Sequence, residues 1–244
     1  MVNVMQTNKQ GALLSMSLRR HGLGIVWSAG FMLFAAFIGT SLIFGAYKVP
    51  EVETFNMVVL DFYFLGLVPS LGFLMLTADY RNYFKQATFS RKLAFLKRYP
   101  ISTEELVKAR VVEYLLTLVV MEIIFFVPVG FVLVQSFGLQ TIGEYLLFVA
   151  FWTGFSLLIG SWYLYLEMCS REKKYLLVSF LLFIPYVGIP IGMALLGTHL
   201  VQGSIWLIGN YGIVPPLLTL AAGFLSLYGF SRLMVKGVQK RDLA

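Results

Sequence analysis

The chain has 244 residues, of which 59% are hydrophobic and only 13% are charged. Its mean hydropathy is +0.80. These values exclude an ordinary soluble globular domain and indicate a protein that exposes much of its surface to lipid. The formal net charge of +7 suits anionic lipid headgroups, because the basic residues flank apolar stretches. We expect membrane lipids as partners and no nucleic acid.

Six apolar stretches predict transmembrane helices, because each approaches the ~20 residues that cross ~30 Å of hydrocarbon. They cover residues 23–47, 55–77, 111–134, 142–165, 175–196 and 205–230. Of the 19 Lys and Arg residues, all except Lys48 lie on one side of this topology. Since positively charged loops stay in the cytoplasm, both termini are predicted to be cytoplasmic. We expect an all-α, multi-pass protein of the cell (plasma or inner) membrane.

The chain is predicted to form a single transmembrane domain over residues 1–244. Residues 1–22 are a cytoplasmic tail, which either folds as a short interfacial helix or stays a frayed, positively charged end. Residues 78–110 form the longest segment between two spans. Prolines in the last two predicted spans indicate either static kinks or a hinge at an outer gate. These prolines are Pro185, Pro190, Pro215 and Pro216.

The segment after the second predicted span has the pattern of an amphipathic helix. Over residues 88–98, Phe89, Leu93 and Leu96 recur at i, i+4 and i+7, which places them on one face of a helix. Pro100 ends this helix, because proline disfavours the α conformation of the residue before it. The sequence therefore predicts a short helix followed by a sharp corner.

A second helix is predicted to begin at Thr103 and to continue deep into the third span. Ser102 and Glu105 have the spacing of a capping box, in which each residue satisfies an N–H group of the other. Ile101 and Leu106 occupy the positions of a hydrophobic staple. A segment that only connected two spans would not need such a defined helix start.

The stretch LAFLKRYPISTEELVKARVVEYL, residues 93–115, resembles the region after the second span of ABC-2 type exporter permeases. In that family a coupling helix precedes a pattern written LPIS-x-x-E-hydrophobic-x-x-(A/S)-R. Tyr99 replaces the usual Leu of the pattern. The positions that fit are Pro100, Ile101, Ser102, Glu105 and Arg110. The resemblance implies six transmembrane helices in the ABC-2 (type V exporter-like) permease architecture.

By the same resemblance, the chain is the permease of an ATP-driven exporter for a hydrophobic or amphipathic peptide, lipid or drug. It would pair with a second permease, identical or different, and bind two ABC ATPase subunits. Substrate would pass along a dimer interface lined by spans one, two and five. The coupling helix would dock on the ATPase, or else lie flat on the inner leaflet. The docking surface implied by position is Phe89, Leu93, Phe95 and Leu96.

The chain lacks the pattern G-x-x-x-x-G-K-[ST], which cradles nucleotide phosphates. We therefore expect no enzymatic activity and no cofactor in this chain, with ATP and Mg²⁺ bound by the partner ATPase. An intramembrane metalloprotease is the enzyme alternative. It would need a metal site, and the sequence has no HExxH motif and only two histidines, His21 and His199, on opposite predicted faces. We expect no metal.

Three of the polar residues within the predicted spans are candidates for the translocation path: Asp61, Glu122 and Asn210. A charged carboxylate in hydrocarbon costs several kcal/mol, so each should face the protein interior. They either contact substrate or form neutral hydrogen bonds between helices. An ion- or proton-coupled secondary transporter or channel that uses Asp61 and Glu122 is the alternative function.

Overall fold

The computed structural model describes residues 2–48, 53–74, 76–77, 88–136 and 141–240. Within these ranges the chain forms eight α-helices and one short 3-10 helix, and no β-strand. The all-α fold class is therefore confirmed. The helices are α1 (Val2–Lys48), α2 (Glu53–Leu67), the 3-10 helix (Val68–Ser70), α3 (Thr88–Leu96), α4 (Thr103–Ser136), α5 (Ile142–Cys169), α6 (Glu172–Leu195), α7 (Leu200–Tyr211) and α8 (Val214–Lys240).

Five helices are long and apolar enough to cross a membrane. Their candidate spans are Gly22–Ala46, Thr103–Val134, Ile142–Cys169, Lys173–Leu195 and Val214–Lys240. The shortest has 23 residues; at 1.5 Å per residue it is about 35 Å long, against about 30 Å of hydrocarbon. The chain is therefore a multi-pass helical membrane protein.

The first span and the segment before it form one helix. α1 runs without a break from Val2 to Lys48 and contains the candidate span Gly22–Ala46. The sequence has no proline before residue 50, so nothing removes a backbone donor along this helix. Residues 2–22 therefore belong to the same continuous helix as the span.

The second predicted span, residues 55–77, is not a continuous helix. α2 ends at Leu67 after 15 residues, which is only about 22 Å. The 3-10 helix with Pro69 and a turn follow, since proline has no N–H group to continue the helical bonds. The carbonyl of Val68 at this break accepts a hydrogen bond from the Ser156 hydroxyl at 2.9 Å. Backbone groups in an apolar environment need such partners.

Tyr114 of α4 fills the space beside this break. Its side chain is fully buried, and its hydroxyl donates to the Ser156 carbonyl at 3.1 Å. A Cβ at Gly72 would lie 1.9 Å from the tyrosine ring, and a Cβ at Gly160 would lie 2.1 Å from its hydroxyl oxygen. The ring therefore fits only because both neighbours are glycines.

The prediction of a single helix over residues 205–230 is wrong. Gly212 separates α7 from α8 and has a φ of 59°, which glycine adopts at little cost. Pro215 and Pro216 then fall in the first turn of α8, where their missing N–H groups would have no helical partner in any case. These prolines mark a helix start and not a kink within a span.

α6 is the least covered of the membrane-crossing helices. Pro185 and Pro190 lie inside it, and the helix continues past both. It contacts α2, where the rings of Phe62 and Phe183 meet edge to face with centroids 5.8 Å apart. About half of its other apolar side chains are exposed, among them Phe180. That surface is suited to contact lipid or another apolar protein surface.

α5 and α8 pack most closely because small residues line their contact. A Cβ at Gly154 would lie 2.4 Å from the backbone carbon of Thr219, and a Cβ at Gly223 would lie 2.6 Å from the carbonyl oxygen of Gly154. Small residues allow helix backbones to approach closely in membranes, where packing takes the place of the hydrophobic effect.

Aromatic side chains hold the short helix α2 against its neighbours. Phe64 is fully buried, and its ring centroid lies 5.0 Å from that of Trp152, 5.9 Å from Phe148 and 6.0 Å from Phe125. All three contacts are edge to face, the arrangement that aromatic quadrupoles favour. A helix too short to span hydrocarbon is thereby fixed to both α4 and α5.

The contact between α5 and α8 predicts the effect of one added methyl group. We expect Gly154→Ala to lower the free energy of unfolding by about 1–3 kcal/mol, because backbone atoms of α8 occupy the position of the new Cβ. Gly229→Ala on α8 is the control, since no atom lies within 4 Å of its Cβ position. Thermal unfolding in detergent measures both. Equal midpoints for the two variants would contradict the close contact.

Candidate functional site

The turn between α3 and α4 contains the capping box that the sequence predicts. The Ser102 hydroxyl accepts a hydrogen bond from the Glu105 N–H at 3.2 Å. Glu105 Oε2 in turn accepts one from the Ser102 N–H at 2.8 Å. Pro100 lies in the turn, and the Ile101 N–H donates to the Tyr99 carbonyl at 2.7 Å. These bonds define where α4 begins.

This corner is anchored to the rest of the protein on both sides. Leu106 is buried in the apolar core, and Ile101 packs against that core. Before the corner, Lys97 Nζ donates to the carbonyl of Val238 at 2.9 Å, near the end of α8. A cation at a helix C-terminus satisfies carbonyl groups there and interacts favourably with the helix dipole. These contacts fix the end of α3 and the start of α4 relative to the end of α8.

The predicted docking surface on α3 needs one correction. Leu93 is only 4% exposed and belongs to the core, so it packs inside this chain and is removed from the docking surface. Leu96 is half-buried against the same core, whereas Phe95 is 40% exposed. The side chain of Phe89 lies outside the described residues. An amphipathic helix presents its apolar face to its own protein first, and the sequence pattern alone does not distinguish that face from a docking face.

An exposed aromatic pair lies at the end of α3. The rings of Phe95 and Tyr99 meet edge to face with centroids 5.2 Å apart, and Tyr99 is 48% exposed. Exposed Arg91 and Arg98 are on the same short segment. The segment thus presents aromatic rings among cationic side chains.

Arg110 joins α4 to α5 through an ion pair. Its Nε donates to Glu167 Oε1 at 3.1 Å and its Nη2 to Glu167 Oε2 at 2.9 Å. Glu113 Oε2 lies 3.3 Å from Nη1 of the same guanidinium. Such bidentate, charge-assisted bonds are strong and directional. Sequence reasoning missed Glu167, because the fourth span was predicted to end at residue 165 and the residue was counted as part of a loop.

Asp61 is completely buried and binds the start of α7. Its two carboxylate oxygens accept hydrogen bonds from the N–H groups of Leu200 and Val201, each at 2.8 Å. His199 Nδ1 lies 3.4 Å from Asp61 Oδ2. The first N–H groups of a helix lack partners within the helix, and a carboxylate there also favours the helix dipole. Asp61 is therefore a helix cap supplied by another helix.

The other two polar candidates have different surroundings. Glu122 is buried on α4, and one of its carboxylate oxygens has no hydrogen-bond partner; the Thr153 hydroxyl of α5 is beside it. Asn210 is exposed and donates to the Trp206 carbonyl of its own helix at 2.8 Å. The structure therefore does not bring Asp61, Glu122 and Asn210 into one site. Among the residues that the structure describes, no group of three His, Cys, Asp or Glu side chains could hold a metal ion.

The cap on α7 predicts that the charge of Asp61 matters more than its size. We expect Asp61→Asn to lower the free energy of unfolding by about 2 kcal/mol, because the amide has one acceptor oxygen and its NH₂ group faces N–H donors. Asn210→Ala, which removes one exposed bond within a helix, should change stability by about 0.5 kcal/mol at most. Thermal unfolding in detergent tests both; an equally small effect of Asp61→Asn would rule out the cap.

The ion pair at the start of the third span predicts strong coupling between its two residues. Arg110→Gln and Glu167→Gln should each lower the free energy of unfolding by about 3 kcal/mol, because each leaves a buried charge without its main partner. The double variant should lose less than the sum of the two, with a coupling energy of about 1–3 kcal/mol. Strict additivity in this double-mutant cycle would mean that the pair does not join the helices.

Comparison with family models, with curated proteins and with solved structures finds no match to this chain. The two polar clusters, at Asp61 and at Arg110, are structural contacts between helices. The exposed pair of Phe95 and Tyr99 is the candidate binding surface.

Proposed function

We propose that this chain is the permease subunit of an ATP-driven exporter whose energy comes from a separate ATPase subunit. Two permeases and two ATPases form the working unit, which moves a hydrophobic or amphipathic substrate across or out of the cell membrane. The proposal begins with the resemblance of residues 93–115 to ABC-2 permeases. The observation that carries it is the capped corner between α3 and α4, next to an exposed aromatic pair.

The corner supports this role because it joins a short surface helix stiffly to a long membrane helix. A capping interaction is worth about 1 kcal/mol and fixes the residue at which the helix begins. From that residue α4 continues for 34 residues, or about 51 Å. A displacement of α3 by a partner would therefore be passed to α4 and not absorbed by a flexible loop. Such movements of whole helices are a common means of conformational switching.

The exposed pair supplies a contact surface of the expected kind. Phe95 and Tyr99 are aromatic, exposed and in contact with each other, and aromatic residues dominate the binding energy of protein interfaces. Arg91 and Arg98 would contact the edge of such an interface and favour an acidic rim on the partner. We place the ATPase contact on this pair in place of Leu93.

The ion pair of Arg110 extends the connection into the membrane. Arg110 lies two turns after the start of α4, and its bonds to Glu167 join α4 to the inner end of α5. α5 in turn packs on α8 through Gly154 and Gly223. A movement that begins at α3 thus has a continuous series of packed helices through which to reach the transmembrane region.

Exposed apolar faces are available for a second permease and for the substrate. On α1 these include Phe34 and Phe37, and on α6 they include Phe180 and Ile184. Apolar walls suit the hydrophobic peptides, lipids and drugs that we propose as substrates. An ion-coupled carrier is less well supported, because both carboxylate oxygens of Asp61 are engaged by α7 and only Glu122 remains.

The proposal predicts that an ATPase co-purifies with this chain and depends on the aromatic pair. We expect mass spectrometry of the affinity-purified chain in mild detergent to identify a nucleotide-binding subunit. Phe95→Ala combined with Tyr99→Ala should reduce its recovery at least about tenfold, because truncating an interface anchor costs about 2 kcal/mol or more. Both side chains are well exposed, so the variant should remain folded.

The control for this experiment is another exposed aromatic pair, on α7. Trp206 and Tyr211 on α7 are each 58% exposed and lie 6.1 Å apart between ring centroids, at the opposite end of α8 from the corner. Trp206→Ala with Tyr211→Ala should leave ATPase recovery unchanged. Absence of any ATPase from the unmodified chain would remove the basis for the exporter. Equal losses of ATPase recovery in both variants would disprove the docking surface but not the exporter.

A further inference from the structure

One face of α8 changes from apolar to cationic along its length. Its exposed residues toward the N-terminal side of this face are apolar or aromatic: Phe224 is 56%, Leu225 71% and Tyr228 60% exposed. The same face continues through exposed Arg232, Lys236 and Lys240, which follow one another at intervals of four residues and so lie along one side of the helix. The opposite side is buried against α5.

No acidic side chain among the described residues pairs with the cationic part of this face. α8 contains no Asp or Glu. In the part of the chain that the structure describes, the ion pairs involve Arg110 and none of these three cations. Three positive charges within about 12 Å of helix, at 1.5 Å per residue, therefore remain available to an anionic partner.

Arg232 is held in position by the residue one turn before it. Its guanidinium carbon lies 5.2 Å from the centroid of the Tyr228 ring, and its Nη2 donates to the Tyr228 hydroxyl oxygen at 2.9 Å. The cation–π contact and this bond orient the guanidinium. They leave its other N–H donors, and the hydroxyl hydrogen of Tyr228, free for an acceptor such as a phosphate oxygen.

The length of α8 places these cations at the level of lipid headgroups. Counted from Val214, a helix reaches about 30 Å of hydrocarbon near residue 233. Tyr228 is then just inside the hydrocarbon boundary, Arg232 lies at it, and Lys236 and Lys240 lie beyond it. Aromatic and basic side chains occupy these same levels in membrane proteins generally.

We propose that this face of α8 is a binding site for an anionic phospholipid of the inner leaflet. Its acyl chain lies along Phe224, Leu225 and Tyr228, and its phosphate accepts hydrogen bonds from Arg232 and Lys236. The order of polarity along one helix face matches the order within a phospholipid. An acidic protein partner would neutralise the cations, but the exposed apolar residues next to them would then have no apolar group to contact. The site lies on a different helix from the proposed ATPase contact, and its assignment does not rest on that contact.

The test measures lipid affinity of the full chain, purified in detergent without any partner. Fluorescently labelled phosphatidylglycerol and phosphatidylcholine are titrated separately in mixed micelles. Each basic residue near an anionic surface contributes about fivefold in affinity, so Arg232→Gln with Lys236→Gln should weaken phosphatidylglycerol binding about 25-fold. Phosphatidylcholine binding should change little, and Tyr228→Phe should cause a smaller loss by freeing the arginine.

The matched control removes two charges from the same end of the molecule. Lys173 and Lys174 are exposed at the start of α6, and Lys173→Gln with Lys174→Gln should leave phosphatidylglycerol affinity nearly unchanged. An equal loss in both variants would overturn the proposal, since it would indicate diffuse attraction to charge. Displacement of the lipid by inorganic phosphate at matched ionic strength would also overturn it, because a free anion would then suffice. The proposal would also fail if Arg232→Gln with Lys236→Gln left lipid affinity unchanged but abolished co-purification of the ATPase. That result would assign this face to a protein partner.

Discussion

The fold depends on the contact that Tyr114 makes with the break after α2. Where a helix is interrupted inside a membrane protein, backbone groups lose their helical hydrogen bonds and water cannot replace them. Here the Ser156 hydroxyl bonds to the Val68 carbonyl, and the Tyr114 ring fills the space between Gly72 and Gly160. The interruption is thereby buried and its carbonyl satisfied, so that α2 can end early.

Charged residues serve a common purpose at the two ends of the bundle. At one end Arg110 binds Glu167 and joins α4 to α5. At the other, Asp61 binds the first N–H groups of α7. Each contact crosses between helices that are distant in sequence, and each satisfies groups that would be costly to bury alone. Of the three polar residues that sequence analysis proposed for a translocation path, Asp61 is better explained as such a contact between helices.

Local sequence signals predicted local structure well. The capping box of Ser102 and Glu105 forms as expected, because its bonds join residues three positions apart and need no tertiary contact. The all-α class follows from long apolar stretches for a similar reason. The errors arose where hydropathy was averaged across a break: Pro69 ended α2, and Gly212 separated α7 from α8. Hydropathy records how apolar a segment is, but it does not record whether the helix continues.

The sequence by itself determined the helical membrane class, the positions of most spans, the asymmetry of positive charge and the corner before α4. Each of these depends on composition or on spacing within a few residues. Only the tertiary structure decided that Leu93 is buried, that Phe95 and Tyr99 form the exposed pair, and that Arg110 and Asp61 have Glu167 and α7 as partners. These outcomes depend on which helix faces meet, and that choice is made by packing among residues far apart in the chain.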